Sequence, residues 1–192
     1  MTAAATTTTV VDTVVGAVLF TDLVGFTDFN EVRGDAEALV VLERQRAIVD
    51  RMLSVAPGSR VVKELGDGLM IWFASAGAGV SVACDLMRAI DTARGVDDFP
   101  LAVRMGLHHG DALVRGDDLV GSTVNVAARV CDLAGPGELL VSDDAIAAGA
   151  EQVSETTLEC FRPIGPARVK GVGHPVWLHR LTEPDRRSRV LK

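Results

Sequence analysis

Hydrophobic residues along the chain alternate between short continuous runs and longer segments with helical spacing. A continuous apolar run at 16–20 predicts a buried central strand, and a similar run at 101–107 predicts another. Apolar residues recur three to four positions apart within 35–53, 76–94 and 122–133, which predicts three helices with one buried face each.

Each predicted helix has recognisable end signals. Pro57-Gly58, Gly95 and Gly135-Pro136-Gly137 are expected to end the three helices. The expected N-caps are Asp35 for the first helix, Ser75 for the second, and Ser122 or Thr123 for the third.

Residues 61–73 predict a β-hairpin between the first two helices. Two apolar runs flank Gly66-Asp67-Gly68, and glycine permits the positive φ angles that tight turns require. The predicted order is strand, helix, strand, strand, helix, strand. This order indicates an α+β fold with a ferredoxin-like βαββαβ core.

The rest of the chain is expected to add strands and helices to this core. Residues 112–115 and 138–141 predict short strands, and 143–150 predict a short helix. Closing strands are expected within 153–181, with turns at 163–166 and 171–173. Residues 14–182 are thus expected to form one domain, between a disordered N-terminal tail at 1–13 and a polar C-terminal tail at 183–192.

Composition narrows the class of protein. Hydrophobic residues make up 48% of the 192 residues and aromatic residues only 4%, so the core is expected to be aliphatic. A net charge of -7 argues against a general nucleic-acid binder. Three scattered cysteines without a C-x-x-C pair argue against a disulfide framework or a zinc site. With no apolar run long enough for a bilayer and no signal-peptide pattern, a cytoplasmic protein with reduced thiols and no membrane association is expected.

Two aspartates occupy positions that favour metal-dependent chemistry. Asp22 follows the first predicted strand, and Asp67 lies at the tip of the predicted hairpin. In a βαββαβ sheet these strands are neighbours, so the two carboxylates can converge and a divalent cation would relieve their repulsion. Mg²⁺ prefers a few carboxylates together with substrate phosphates, as in phosphoryl transfer. Each aspartate is also compatible with a simple turn or capping residue.

Other polar residues are less distinctive alone. Asn125 and Arg129 lie four positions apart on the third predicted helix and share a face, from which an arginine could neutralise a phosphoryl group. They are equally compatible with a helix-start asparagine and a surface arginine. The pair His108-His109 has no acidic or cysteine partner at metal-ligand spacing, which favours a structural or surface role. Phosphate-loop, dinucleotide-binding and zinc-protease motifs are missing from the sequence.

Three motifs together carry a family resemblance. They are FTDLVGFT at 20–27, KELGDG at 63–68 and DLVGSTVNVAAR at 118–129. In this order and spacing they resemble the class III nucleotidyl cyclases of the adenylate cyclase type, and the resemblance covers 14–182 as a cyclase catalytic domain. It implies a lyase that converts ATP to 3′,5′-cyclic AMP and pyrophosphate.

The resemblance also implies roles for individual residues. Asp22 and Asp67, with the carbonyl of Leu23, match the ligands of two Mg²⁺ or Mn²⁺ ions per site. Lys63 and Asp118 match the pair that selects adenine. A lysine can donate to adenine N1 and an aspartate can accept from the N6 amino group, whereas guanine presents the opposite polarity at both edges.

The remaining matched positions concern ribose and phosphates. Asn125 matches the residue that orients the ribose, and Arg129 matches the arginine that stabilises the transition state. Arg104 and Lys170 match positions that contact the phosphates.

The resemblance further implies a head-to-tail homodimer with two equivalent active sites at its interface. Metal ligands would come from one protomer, and the base, ribose and transition-state residues from the other. Between Gly110 and Asp118 this chain is shorter than the β-arm by which many family members wrap their partner. Two other functions stay open from the sequence: a catalytically silent nucleotide-binding or sensor module, and a guanylate cyclase.

Overall fold

The computed structural model describes residues 12–96 and 99–182, which form an eight-stranded sheet with helices on both faces. The strands are β1 (Thr13–Leu23), β2 (Arg60–Leu65), β3 (Gly68–Phe73), β4 (Val103–Arg115), β5 (Asp118–Val120), β6 (Leu139–Ser142), β7 (Phe161–Ala167) and β8 (Val176–Leu181). The helices are α1 (Phe26–Arg33), α2 (Asp35–Leu53), α3 (Ala76–Val96), α4 (Ser122–Leu133), α5 (Asp143–Gly149) and α6 (Glu155–Leu158).

The strand order confirms the predicted ferredoxin-like core. The sheet runs β2-β3-β1-β4-β6-β8-β7, and β5 pairs with β4 at the side. Its first four strands have the order that β1, the β2–β3 hairpin and β4 adopt in a βαββαβ fold, with α2 and α3 as the crossing helices. Strands β6, β7 and β8 extend the sheet beyond β4, as the additional C-terminal strands were expected to do.

Several boundaries differ from the sequence prediction. Strand β1 begins at Thr13, inside the segment expected to be a tail, and the carbonyl of Asp12 accepts a hydrogen bond from the Val114 N–H at 2.8 Å. Residues 1–11 of that tail and the tail at 183–192 lie outside the described residues. Residues 112–115 are not a separate strand, because 108–110 continue the pairing of β4 with β1. Residues 163–166 are not a turn but a register shift within β7. Helices α1 and α6 were not predicted.

Of the three predicted N-caps, only Ser75 is confirmed. Its hydroxyl oxygen accepts a hydrogen bond from the Ala78 N–H at 3.2 Å. Glycines 34 and 121 precede α2 and α4 instead, and neither helix has a side-chain cap. The Thr123 hydroxyl donates to the Asp111 carbonyl at 2.6 Å, which ties α4 to β4 rather than capping the helix.

Alternating side chains of β1 contribute to a separate core on each face of the sheet. Ala17 and Leu19 pack with residues of α2 and α3, whereas Val18 packs with Val124 and Ala127 of α4. The cores are mainly aliphatic, as the composition predicted. Because Asp22 is an even-numbered residue of β1, the same alternation directs it to the α4 face.

Helix α4 lies directly on the backbone of β4. A Cβ atom added at Gly106 would lie 2.1 Å from the backbone nitrogen of Cys131, closer than any real contact. Because Gly106 has no side chain, α4 can pack closely against the sheet. This close packing fixes the distance between the sheet and the exposed face of α4.

The three cysteines lie in the interior of the protein. Cys84, Cys131 and Cys160 are buried free thiols. Burial raises the pKa of Cys84 and Cys131 to about 12, so both stay protonated at neutral pH. Within 12–96 and 99–182, every helix is too short or too polar to cross a bilayer.

His108 has a structural position, as favoured from the sequence. It is buried, and its Nδ1 lies 2.8 Å from the hydroxyl of Ser142, which also caps α5. Burial lowers the pKa of His108 and outweighs the opposing effect of Asp144, whose carboxylate is 3.8 Å away; His109 and His174 lower this pKa further.

Gly106→Ala is expected to destabilise the fold by about 1–3 kcal/mol, because the methyl group must push α4 away from β4. Chemical denaturation measures this change. Gly95→Ala is the matched control, since its Cβ would meet no atom within 4 Å and alanine favours helix. Equal stability of the Gly106 and Gly95 variants would contradict this account of α4 packing.

The free energy of unfolding is expected to fall as the pH drops below about 6.5, the ordinary pKa of histidine. The unfolded chain then binds a proton at His108 that the folded chain resists, so acid favours unfolding. His108→Gln should flatten the dependence of stability on pH between 7 and 5.5, measured by denaturation at each pH. His174→Gln, at an exposed position, should change the slope much less, because His174 makes the smallest contribution to the lowered pKa of His108. An unchanged slope in His108→Gln would show that other groups cause the dependence.

Candidate active site

The tip of the β2–β3 hairpin lies against the end of β1. Gly66 has a φ angle of +68°, the left-handed conformation predicted for this turn. Gly68 is needed for a different reason: a Cβ there would lie 2.8 Å from the Thr21 carbonyl oxygen and 3.9 Å from a carboxylate oxygen of Asp22. The two glycines thus allow a tight turn that touches β1.

This contact brings Asp22 and Asp67 together, as predicted. The Leu23 N–H donates a hydrogen bond to Oδ2 of Asp67 at 3.2 Å, which fixes the second carboxylate beside the first. The pKa of Asp67 is raised, mainly by loss of solvent and further by the neighbouring charge of Asp22. Two carboxylates are therefore held close together at an electrostatic cost.

The two carboxylates fit a hard divalent cation. Mg²⁺ and Mn²⁺ favour oxygen ligands, and a cation here would offset the repulsion that raises the Asp67 pKa. Groups of three or more potential metal-binding side chains do not occur within 12–96 and 99–182. An ion at Asp22 and Asp67 would therefore need further oxygens, such as the Leu23 carbonyl, water or a substrate phosphate.

Arg104 joins this corner in a way that the sequence did not predict. It was expected to contact phosphate, but its Nε donates to Oδ2 of Asp22 at 2.7 Å. A second guanidinium nitrogen lies 3.4 Å from the carbonyl of Asp132. The hydrogen bond to Asp22 raises the pKa of Arg104, so the guanidinium stays protonated. We call Asp22, Asp67 and Arg104 the carboxylate corner.

The N-terminus of α1 follows the carboxylate corner closely in the chain and was missed in the sequence. Gly25, with a φ angle of +79°, turns the chain from β1 into α1, and no side chain caps that helix. The first N–H groups of a helix lack partners within it and favour anions. Asp28 in the first turn, a feature typical of helix starts, was the available signal.

Lys63 and Asp118 form a direct ion pair between β2 and β5. The Lys63 ammonium donates to Oδ2 of Asp118 at 2.8 Å, and Oδ1 of Asp118 accepts from the Leu119 N–H at 2.8 Å. The bond from Lys63 lowers the pKa of Asp118. Both side chains keep about a third of their surface exposed, at 35% and 36%, so a ligand can reach them.

Asn125, Arg129 and Lys170 line a third feature, a cleft of about 710 Å³ between α4 and the segment that joins β7 to β8. Asn125 and Arg129 are exposed on the outer face of α4, as their spacing predicted. Arg129 donates to the Asp132 carboxylate at 3.0 Å. The residues that line this cleft include neither Asp22 nor Asp67. Within one chain, the cleft and the carboxylate corner are therefore distinct surfaces that meet at Asp132, which contacts Arg104 through its carbonyl and Arg129 through its carboxylate.

A family model agrees with these motifs. The model that describes the adenylate and guanylate cyclase catalytic domain matches residues 10–180. The match spans all three features: the carboxylate corner, the Lys63–Asp118 pair and the cleft.

Two bacterial relatives are similar over most of this chain. A putative adenylate cyclase of Rhizobium meliloti is 31% identical over 172 residues, which cover 88% of this chain and 28% of that protein. A pH-sensitive adenylate cyclase of Mycobacterium tuberculosis is 34% identical over 164 residues, covering 85% of this chain and 40% of the relative. The chain thus spans less than half the length of either relative.

Solved structures share the fold. The adenylyl cyclase CyaB of P. aeruginosa superimposes with a TM-score of 0.78 at 22% identity, covering 92% of this chain and 98% of that one. An adenylate/guanylate cyclase/hydrolase from Silicibacter pomeroyi gives a TM-score of 0.72 at 27% identity, covering 92% of this chain and 100% of that one. The resemblance inferred from the motifs is confirmed: the chain belongs to the adenylate and guanylate cyclase catalytic-domain family, the class III nucleotidyl cyclases.

Proposed function

We propose that this domain is an adenylate cyclase that converts ATP to 3′,5′-cyclic AMP and pyrophosphate. The observation that carries the choice of adenine is the preformed pair of Lys63 and Asp118. Its donor and acceptor complement N1 and the N6 amino group of adenine. Guanine would place a donor against the ammonium and an acceptor against the carboxylate.

In the proposed reaction, the ribose 3′-oxygen forms a bond to the α-phosphorus of ATP. The bond from that phosphorus to the β-phosphate oxygen breaks, pyrophosphate leaves, and the hydroxyl proton passes to water or to a substrate phosphate. Two Mg²⁺ or Mn²⁺ ions, when bound, would supply activation of the hydroxyl and neutralisation of the phosphates. Asp22 and Asp67 would hold these ions, with the carbonyl of Leu23 as a further ligand.

The remaining residues orient ATP and stabilise charge. Asn125 would hold the ribose so that its 3′-oxygen lies in line with the leaving group. Arg129 would stabilise the charge that develops on the phosphoryl oxygens. Lys170, which lines the same cleft, and the N-terminus of α1 offer positive potential for the phosphates. Arg104, which donates a hydrogen bond to Asp22, would offer its guanidinium to a phosphate of the bound nucleotide.

A homodimer would complete each site. The carboxylate corner of one protomer would face the Lys63–Asp118 pair and the α4 cleft of its partner. The lining of the α4 cleft includes neither Asp22 nor Asp67, which supports this arrangement. Exposed apolar side chains also support a partner surface, since Val15 and Leu113, near the paired ends of the central strands β1 and β4, are 58% and 40% exposed.

Purified wild-type protein is expected to form cyclic AMP from ATP with Mn²⁺ or Mg²⁺. Asp22→Ala and Arg129→Ala should each lower the rate by about a hundredfold or more, because each removes charge stabilisation from both sites. An equal mixture of these two variants should regain about a quarter of the wild-type rate. Half of the dimers are then mixed, and each mixed dimer has one intact site.

A second mixture is the matched control. Asp22→Ala combined with Asp67→Ala should stay inactive, because both residues belong to the same half of each site. Light scattering of the mixtures checks that dimers form. If the first mixture is as inactive as the second although mixed dimers are present, the shared-site proposal is wrong.

Lys63→Glu is expected to lower the kcat/KM for ATP by about a hundredfold or more, since the base would face two carboxylates. Mn²⁺ binding without nucleotide should stay near the wild-type value. Arg60→Glu is a matched charge reversal on the same strand. Arg60 donates a hydrogen bond to the Asp117 carbonyl at 2.9 Å and has no proposed role in binding the base, so the kcat/KM of this variant should change little. Equal losses in both variants, or a wild-type preference for GTP, would contradict adenine recognition by Lys63.

A further inference from the structure

Two polar side chains are buried directly behind the carboxylate corner, on the opposite face of the sheet. Thr21 of β1 and Gln45 of α2 are each only 2% exposed. Glutamine seldom occurs inside an apolar helix–sheet interface, because burial of an amide is unfavourable unless hydrogen bonds compensate. This pair therefore calls for a physical reason.

The contacts of Thr21 supply one. Its hydroxyl oxygen accepts a hydrogen bond from the Leu69 N–H at 3.3 Å, and the Gln45 amide nitrogen lies 3.5 Å from the same oxygen. Leu69 is two residues after Asp67, and Thr21 immediately precedes Asp22. One hydroxyl thus connects α2, β1 and β3 at the point where both carboxylates leave the sheet.

The position of Thr21 in the sheet explains why its hydrogen bonds matter. Thr21 and Leu69 are the last partners in the pairing of β1 with β3. Beyond them, Asp67 is attached to β1 by the bond from the Leu23 N–H. The mutual repulsion of the carboxylates acts on the hairpin tip just outside the final pair, so a further attachment is most effective there.

We propose that Thr21 and Gln45 are positioning residues that hold Asp22 and Asp67 at the spacing required for a divalent cation. We call them the buried clamp. Gln45 fixes the rotamer of Thr21 from α2, and Thr21 fixes the start of β3 beside β1. The inference rests on the proposed function for the role of the metal, and it extends that role to two residues that would touch neither metal nor nucleotide.

The experiment compares isosteric variants that keep volume but remove polarity. Thr21→Val and Gln45→Met should raise the Mn²⁺ concentration for half-saturation by about tenfold, the usual cost of losing an outer support of a metal ligand. Thr21→Ser keeps the hydroxyl and should stay within about twofold of wild type. Binding is measured without nucleotide, by the electron paramagnetic resonance signal of free Mn²⁺.

A control variant distinguishes positioning from general destabilisation. Ser142→Ala also removes a fully buried hydroxyl, but from β6, where it caps α5. It should lower the free energy of unfolding without changing Mn²⁺ half-saturation. If Thr21→Val loses stability while it binds Mn²⁺ as the wild type does, the buried clamp is merely structural and the proposal is wrong.

Activity separates this proposal from the function on which it rests. In the cyclase assay, Thr21→Val should need more Mn²⁺ for half-maximal rate but keep the wild-type KM for ATP at saturating metal. A wild-type protein that binds Mn²⁺ but forms no cyclic nucleotide would refute the proposed function alone. An active wild type whose Thr21→Val and Gln45→Met variants show unchanged Mn²⁺ dependence would refute the clamp alone.

Discussion

The closeness of Asp22 and Asp67 is the constraint on which the proposed site depends. Loss of solvent raises the pKa of Asp67, and repulsion by the charge of Asp22 raises it further. The fold opposes this repulsion with a hairpin that touches β1 at Gly68, a bond from the Leu23 N–H and the charge of Arg104. In the proposed function, these contacts would hold the two carboxylates near the arrangement that a cation needs before it binds, and such pre-organisation favours phosphoryl transfer.

The same hairpin also connects the two sets of proposed site residues. Asp67 lies at its tip, and Lys63 lies four positions earlier, on the incoming strand, where it pairs with Asp118. In the proposed dimer these two residues serve different active sites. A displacement of the hairpin would then alter metal binding in one site and base recognition in the other. Because the hairpin would serve both sites, the hydrogen bonds at Thr21 that connect it to β1 and α2 would matter for both of them.

Much of this arrangement could be predicted from the sequence, because it depends on local patterns. The apolar runs and the Gly66-Asp67-Gly68 turn predicted the hairpin, and the strand order then predicted that Asp22 and Asp67 would converge. The spacing of Asn125 and Arg129 predicted their common exposed face on α4. Periodicity succeeded at these places since each pattern reflects burial on one side of a regular element.

Features that depend on contacts distant in sequence could not be predicted. The ion pair of Arg104 with Asp22 joins neighbouring strands 82 positions apart, so the sequence suggested only a phosphate contact for Arg104. The continuation of β4 through 108–111 is determined by pairing with β1, which the local pattern of two separate strands at 101–107 and 112–115 did not reveal. In the sequence, Gln45 is an ordinary polar residue of a helix. Its contact with Thr21 becomes visible only once α2 is placed on the sheet.

Gln45 and Thr21 illustrate why such residues matter for function. A core made only of aliphatic side chains would pack α2 against β1 and β3 without fixing where one strand lies along the other. Hydrogen bonds are directional, so a buried hydroxyl that contacts both partners can fix that position. At most places in a sheet a small displacement is tolerable. Beside two carboxylates that must share a cation, a displacement of about 1 Å changes the distances between ligands, and ligand distances determine metal affinity. The need for polarity inside this core therefore follows from the proposed chemistry outside it.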